Sequence, residues 1–308
     1  MRVLDHIDRA EIDRQRAAGE FFWLDLQSPA DADIDAVSEI FELHPIAVED
    51  MKTFGQRPKI DDYPHFLHIV FFGMEGGKPV EVHLVVHGDA MVTVRRDHCA
   101  SLLGARARVE ATPPEREEYA VYRVLDALTD SFFPYLEDID EQVDHIEEVV
   151  ITGGDRADLE TIVALKRQLT DVRRRVGPQR DILATADGLF ERLPGFTGDG
   201  SHDYFRDVYD HLLRITDSIE SYRDVLTGLL DVYLSAQSNR LNEWVTRLTV
   251  LGTIFLPLTF LTGFFGQNFQ WMVDHVGGEG WFFGLGIGLE VASVVGLLIW
   301  FRRRGLST

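Results

Sequence analysis

The sequence holds one cysteine, Cys99, in 308 residues. That excludes an intrachain disulfide and a cysteine-based zinc site, and it fits a reducing compartment. Basic side chains are scarce: 30 Lys and Arg stand against 51 Asp and Glu, for a formal net charge of −21. Nucleic acid is excluded as a partner, because its phosphates need Lys and Arg. A surface of this sign attracts cations instead. The run Met1-Arg2-Val3-Leu4-Asp5-His6 lacks the apolar segment of a secretion signal, so none is expected. Gly-rich phosphate loops and nucleophile motifs are missing too. No enzyme and no small organic substrate are expected.

What the chain does have is two long apolar runs near its C-terminal end, Leu248–Gly266 and Trp281–Phe301. Each is long enough to cross about 30 Å of hydrocarbon as a helix. The connection, Gln267 to Gly280, is too short for a folded domain and predicts a transmembrane hairpin. It carries Asp274, His275 and Glu279 but no Lys or Arg, whereas Arg247 precedes the first run and Arg302-Arg303-Arg304 ends the second. The positive-inside rule then puts both termini in the cytoplasm of a cell (plasma) membrane protein in contact with lipid.

Four parts are expected along the chain. Residues 1–112 read as an α/β domain, with strands at Phe21–Leu26, Phe66–Phe72, Val80–His87 and Met91–Arg95 and a helix at Asp31–Leu43. Residues 113–203 read as helical after the break at Thr112-Pro113-Pro114. One helix is expected over Glu115–Ile151, ended by Gly153-Gly154, and a second over Arg156–Phe190, open to interruption at Gly177-Pro178. Pro194–Ser201 reads as a loop. Residues 204–247 form a stalk, and residues 248–308 the membrane hairpin. The expected fold class is an α+β body, an α/β sandwich plus long helices, with the stalk continuous with the first span.

No proline interrupts Tyr204 to Leu256. Val208, Leu212, Ile215, Ile219, Tyr222, Leu226, Leu229 and Tyr233 alternate steps of four and three, a heptad seam. One helix of roughly 60 residues, about 90 Å long, is expected. A second stripe, Asp203, Asp210, Asp217, Asp224 and Asp231, recurs every seven residues. It reads either as a solvated outer face or, at Asp224 and Asp231, as rings that concentrate cations at a pore mouth. In the first span Asn242, Val245, Thr249, Gly252, Leu256, Thr259 and Gly263 form a small, partly polar stripe. Close helix packing accounts for such a stripe. A pore lining does too, but two spans cannot enclose a pore, so transport would require an oligomer.

The run Thr253-Ile254-Phe255-Leu256-Pro257-Leu258-Thr259-Phe260-Leu261-Thr262-Gly263-Phe264-Phe265-Gly266-Gln267-Asn268 resembles the CorA-type divalent-cation transporters, whose first span ends in Gly-Met-Asn. Tyr204–His211, Gly228–Ser235 and Gln56-Arg57-Pro58-Lys59 resemble the same family. The resemblance implies a funnel-shaped homopentamer, with the first span around the pore and the second outside it. It implies a selectivity filter at Gly266, Gln267 and Asn268, and pore positions at Asn242, Leu248 or Thr249, Leu256 and Thr259. It further implies Mg2+ as transported and regulatory ion, with Glu49, Asp50, Asp126 and Asp207 as cytoplasmic ligands, Asp207 coming from a neighbour. Gln267 departs from the family's Met, and Phe265 from its usual Tyr. Mg2+ ranks first, with Co2+, Ni2+ or Zn2+ as alternatives.

Glu290 falls in the middle of the second span. Acids there are costly and often functional; packing against the first span is the preferred reading and proton coupling the alternative. His83 and His87 share a strand face, which reads as packing. The rival from another class is a membrane-anchored coiled-coil scaffold that moves no ion.

Overall fold

The computed structural model describes residues 1–114, 116–152, 156–186, 188–193, 196, 201–267, 270–276 and 278–303. The chain forms two compact units, Met1–Leu230 and Asp231–Thr308.

The first unit is built on a six-stranded sheet of β1 (Arg2–Leu4), β2 (Phe22–Gln27), β3 (Lys59–Asp62), β4 (Phe66–Glu75), β5 (Lys78–His87) and β6 (Ala90–Arg95), in the order β1-β2-β6-β5-β4-β3. β1, β2 and β6 run parallel, while β3, β4, β5 and β6 form an antiparallel meander. Side chains alternate across the sheet, so β2 sends Phe22, Leu24 and Leu26 into a core with Ile12, Ile34, Phe41 and Met51. Those four come from α1 (Arg9–Ala18), α2 (Asp31–Phe41) and α3 (Pro45–Thr53). Trp23 and Asp25 alternate with them. There Trp23 donates to Thr93 Oγ1 at 2.8 Å, Thr93 donates to Asp25 at 2.8 Å, and buried Arg95 pairs with Asp25. Burial of this ion pair is tolerable because its partners supply the lost hydrogen bonds.

α4 (Ala100–Ala111) and α5 (Glu117–Asp130) pack beside each other and against the sheet, followed by α6 (Phe132–Thr152) and α7 (Arg156–Thr185). Gly73 lets α5 come close to β4: a Cβ there would meet Leu128 Cδ2 at 2.9 Å and Ser131 Oγ at 3.1 Å. The single helix expected over Glu115–Ile151 is in fact two. The break falls at Ser131, whose hydroxyl donates to the Leu128 carbonyl and accepts Met74 N–H at 2.7 Å, so the sheet takes over a hydrogen bond at the joint. α7 runs through Gly177-Pro178 without interruption and ends at Thr185; a short 3₁₀ turn, Phe190–Arg192, follows. The expected stops at Gly153-Gly154, and most of the loop at Pro194–Ser201, lie outside the described residues.

α8 (Ser201–Phe265) is one continuous helix of 65 residues that begins in the first unit and ends in the second. In the first unit its seam residues Val208, Leu212, Ile215, Ile219 and Leu226 are fully buried, while Asp203, Asp210, Asp217 and Asp224 are exposed.

In the second unit α8 is followed by α9 (Gln270–His275) and α10 (Glu279–Trp281). A stretch of wider π winding, Phe282–Ile287, then leads into α11 (Gly288–Arg303). Two helices here are long and apolar enough to cross a membrane, α8 and the stretch Glu279–Arg303. Gly266 ends α8: its N–H donates to the Thr262 carbonyl at 2.9 Å, and a Cβ would meet that same oxygen at 2.9 Å.

Candidate ion path and metal sites

On the membrane part of α8, the residues of the small, polar stripe share one condition. Asn242, Val245, Thr249, Gly252, Leu256, Thr259 and Gly263 are all exposed, and Leu256 keeps 73% of its surface. Thr253, Ile254, Pro257, Leu258, Leu261 and Phe265 are half-buried. Asp231 is exposed, as are Gly266 and Gln267; Asn268 lies outside the described residues. The hydroxyls of Thr249 and Thr259 donate to the carbonyls of Val245 and Phe255 at 2.7 and 2.8 Å. The stripe therefore presents oxygen without displacing the helix ladder.

Within this unit Glu290 meets Thr262. The Thr262 hydroxyl lies 2.8 Å from Glu290 Oε1 and 2.7 Å from the Leu258 carbonyl. This contact joins α11 to α8 one turn before Gly266, the packing arrangement weighed for Glu290 from the sequence.

The first unit brings two of the four expected cytoplasmic ligands together. Asp126 on α5 and Asp207 on α8 gather around His211. His211 Nδ1 is 2.9 Å from Asp130 and 3.7 Å from Asp126, and its Nε2 is 3.9 Å from Asp207. Tyr122 donates to Asp207 at 2.9 Å. Burial, then the nearby Asp130 carboxylate, pushes Asp126 above the usual carboxylate range. Burial and the Asp207 hydrogen bond push the Tyr122 phenol up. Asp126, Asp130 and His211 offer three ligand atoms to one ion. Asp130, His211 and Tyr122 escaped the sequence reading, though Asp126/Asp130 and Asp207/His211 are both spaced i,i+4, which puts each pair on one helix face.

Asp50 sits elsewhere in the unit, and within one chain its cluster is separate from that of Asp207. Its carboxylate accepts Lys59 Nζ at 2.6 Å, and Lys59 also lies 2.5 Å from Asp61. Burial works against the Lys59 charge, but the two carboxylates outweigh it and raise its affinity for the proton. Glu49 is exposed on the same helix turn as Asp50. Sequence reading missed Lys59 and Asp61 as neighbours of Asp50. It read His83 and His87 as packing on one strand face and did not see that His83 stacks on His68 of the adjacent strand; only the strand register reveals this.

A mixed sheet with flanking helices, a 65-residue helix reaching from an acidic body into an apolar hairpin, and clustered carboxylates in the body define a two-span membrane protein built to handle cations. The sequence profile of the family described as "CorA-like Mg2+ transporter protein" matches residues 18–303, and the chain belongs to that family. The cobalt/magnesium transport protein CorA of Thermotoga maritima is 31% identical over 283 residues, covering 88% of this chain and 79% of that protein. In fold, the chain is similar to the complete structure of the CorA magnesium transporter from Methanocaldococcus jannaschii, with a TM-score of 0.80 at 22% identity over 92% of this chain and 91% of that one. It is also similar to the full-length CmaX structure, with a TM-score of 0.72 at 22% identity over 91% and 87%. Divalent-cation transport is thus the function class, and the scaffold alternative falls.

Proposed function

We propose that five copies of this chain surround an axis with the membrane part of α8 and pass Mg2+ inward along it. The supporting observation is the exposed stripe from Asn242 to Gly263, small and partly polar in its side chains, which ends at Gly266 and Gln267. A stripe of neutral oxygens and small side chains suits an ion that keeps its water, since Mg2+ dehydrates reluctantly. Gly266, Gln267 and Asn268 form the filter, and neutral ligands there release the ion again. Leu256 is an apolar constriction. Asp231 is the acidic ring at the cytoplasmic end. Both termini are cytoplasmic, so the membrane potential draws the ion in, with about 2.3 kcal/mol per charge per 100 mV and roughly twice that for a dication.

Regulation sits in the body. Asp50, with Glu49, faces Asp207 of a neighbouring copy, and Asp126 adds to the same acidic surface. Mg2+ bridges the copies when abundant, and like charges separate them when it is lost. The amide of Gln267 adds an acceptor at the outer mouth. Together with the cobalt in the Thermotoga relative's name, it keeps Co2+, Ni2+ and Zn2+ as second substrates.

Flux into proteoliposomes tests the proposal. Mg2+ uptake should saturate, and Asn268→Ala should abolish it with the protein still folded. Absence of saturable flux for every divalent ion tried would end the pore reading.

A further inference from the structure

Strand β3 pairs with β4 in a register that sets Asp61 directly opposite His68. His68 is fully buried, and its ring is held from behind. His68 Nε2 lies 3.1 Å from His83 Nδ1, and His83 Nε2 lies 2.9 Å from Glu81 Oε1. Glu81 itself accepts the backbone N–H groups of Gly55 and Gln56 at 2.7 and 3.1 Å, so both its oxygens are held as acceptors. Proton counting along this chain has one outcome with both rings neutral. His83 donates from Nε2 to Glu81, which leaves its Nδ1 to accept from His68 Nε2–H, which leaves His68 Nδ1 a bare lone pair.

That lone pair has no hydrogen-bond partner, and it faces Asp61 Oδ2, the oxygen that Lys59 Nζ meets at 2.5 Å. The two atoms are 3.6 Å apart, too long for a hydrogen bond. The separation suits two ligands of one tetrahedral ion: bonds of about 2.0–2.2 Å put neighbouring donors roughly 3.4 Å apart. A third donor comes from Asp50, all three ligand atoms lying within 4.8 Å of one another. The relay from Glu81 through His83 resembles the outer partners that orient a metal-bound imidazole. Lys59 now puts its ammonium between the two carboxylates, 2.6 Å from Asp50 and 2.5 Å from Asp61, so a cation already occupies this ground.

We infer that His68 Nδ1, Asp61 and Asp50 form a binding site for a transition-metal dication of the Zn2+, Co2+ or Ni2+ class, for which Lys59 is the resident competitor. Imidazole suits those ions, whereas Mg2+ is satisfied by oxygen and water. The site lies within one chain and is separate from the pore. It shares Asp50 with the proposed Mg2+ brake, so the test rests on His68, Asp61 and Lys59, which that brake does not use.

The experiment uses the full chain in detergent, stripped with a chelator, in a His211→Gln background that removes the other imidazole–carboxylate cluster. Zn2+ is titrated against a chromophoric chelator with Mg2+ in large excess, and Co2+ absorption reports nitrogen ligation. One ion per chain should be retained. Asp61→Asn and His68→Gln should weaken it by at least tenfold, and Lys59→Met should tighten it. Asp207→Ala should leave it unchanged, which separates this site from the brake. Equal Zn2+ affinity in wild type and Asp61→Asn, displacement by Mg2+, or no tightening in Lys59→Met would each overturn the inference. Should His68→Gln fail to fold, the Asp61 and Lys59 variants decide the matter.

Discussion

Met1–Leu230 and Asp231–Thr308 treat their apolar side chains in opposite ways. In the first, Phe22, Trp23, Leu84 and Leu212 are wholly removed from solvent. In the second, Leu248 keeps 71% of its surface and Phe260 keeps 66%, and among the described residues only Tyr233 and Phe301 are buried hydrophobics. The first unit closes a core by folding alone. The second satisfies its backbone through helices but leaves its side chains open, which is the condition of a segment whose solvent is lipid and other protein. The contrast divides the chain by solvent: the body completes its own core, and the hairpin leaves its apolar surface for lipid and other protein to cover.

The largest expected effect is on solubility. Residues 1–230 expressed alone should stay soluble without detergent and melt cooperatively, while the full chain sediments; an ultracentrifugation assay reads both. Aggregation of the shorter chain would break the contrast. Next comes Gly73→Val. Its Cβ would collide with Leu128 on α5, and overpacking of this kind costs about 1–3 kcal/mol. The body should melt roughly 5 °C lower, with the span helicity unchanged by circular dichroism. Thr262→Val removes only the hydroxyl that meets Glu290. A loss near 1 kcal/mol in the unfolding of the hairpin in micelles is expected, with no shift in the melting of the body. If the melting of the body falls as well, the two regions are not energetically distinct.

The smallest effect concerns pH. Burial lowers the His83 pKa, with Glu81 pulling the other way. The unfolded chain then takes up a proton near pH 6.5 that the folded body refuses. Stability from this group is full above about 6.5 and is lost as pH falls toward the lower folded value. His83→Gln should flatten the thermal-stability curve between pH 7 and 5. An unchanged slope would assign the dependence to other groups.

The periodic elements were legible in the sequence because burial writes a period. The seam Val208, Leu212, Ile215, Ile219 and Leu226 gave α8, and the aliphatic runs gave β2, β4, β5 and β6. Elements with little to bury went unseen. β3 is the polar run Lys59-Ile60-Asp61-Asp62 on a sheet edge, and β1 has three residues. α1 buries only Ile12 among its apolar residues. Its limits come from the structure: Asp8 caps the N–H groups of Ala10 and Glu11, and Gly19 ends the helix at φ 68°. At the candidate sites, helix spacing alone holds Asp126 near Asp130 and Asp207 near His211. The pairs His68–Asp61 and Thr262–Glu290 join different elements. No local spacing encodes them; strand register fixes one and helix packing the other.

Pro257 sits inside α8. Having no N–H, it cannot supply the bond that the Thr253 carbonyl would otherwise receive one turn earlier. Hydrocarbon has no donor to offer in its place. That oxygen is left to water, a hydroxyl side chain, a local change of winding or a neighbouring helix, so the middle of the span carries a standing chemical demand for polar company at that depth.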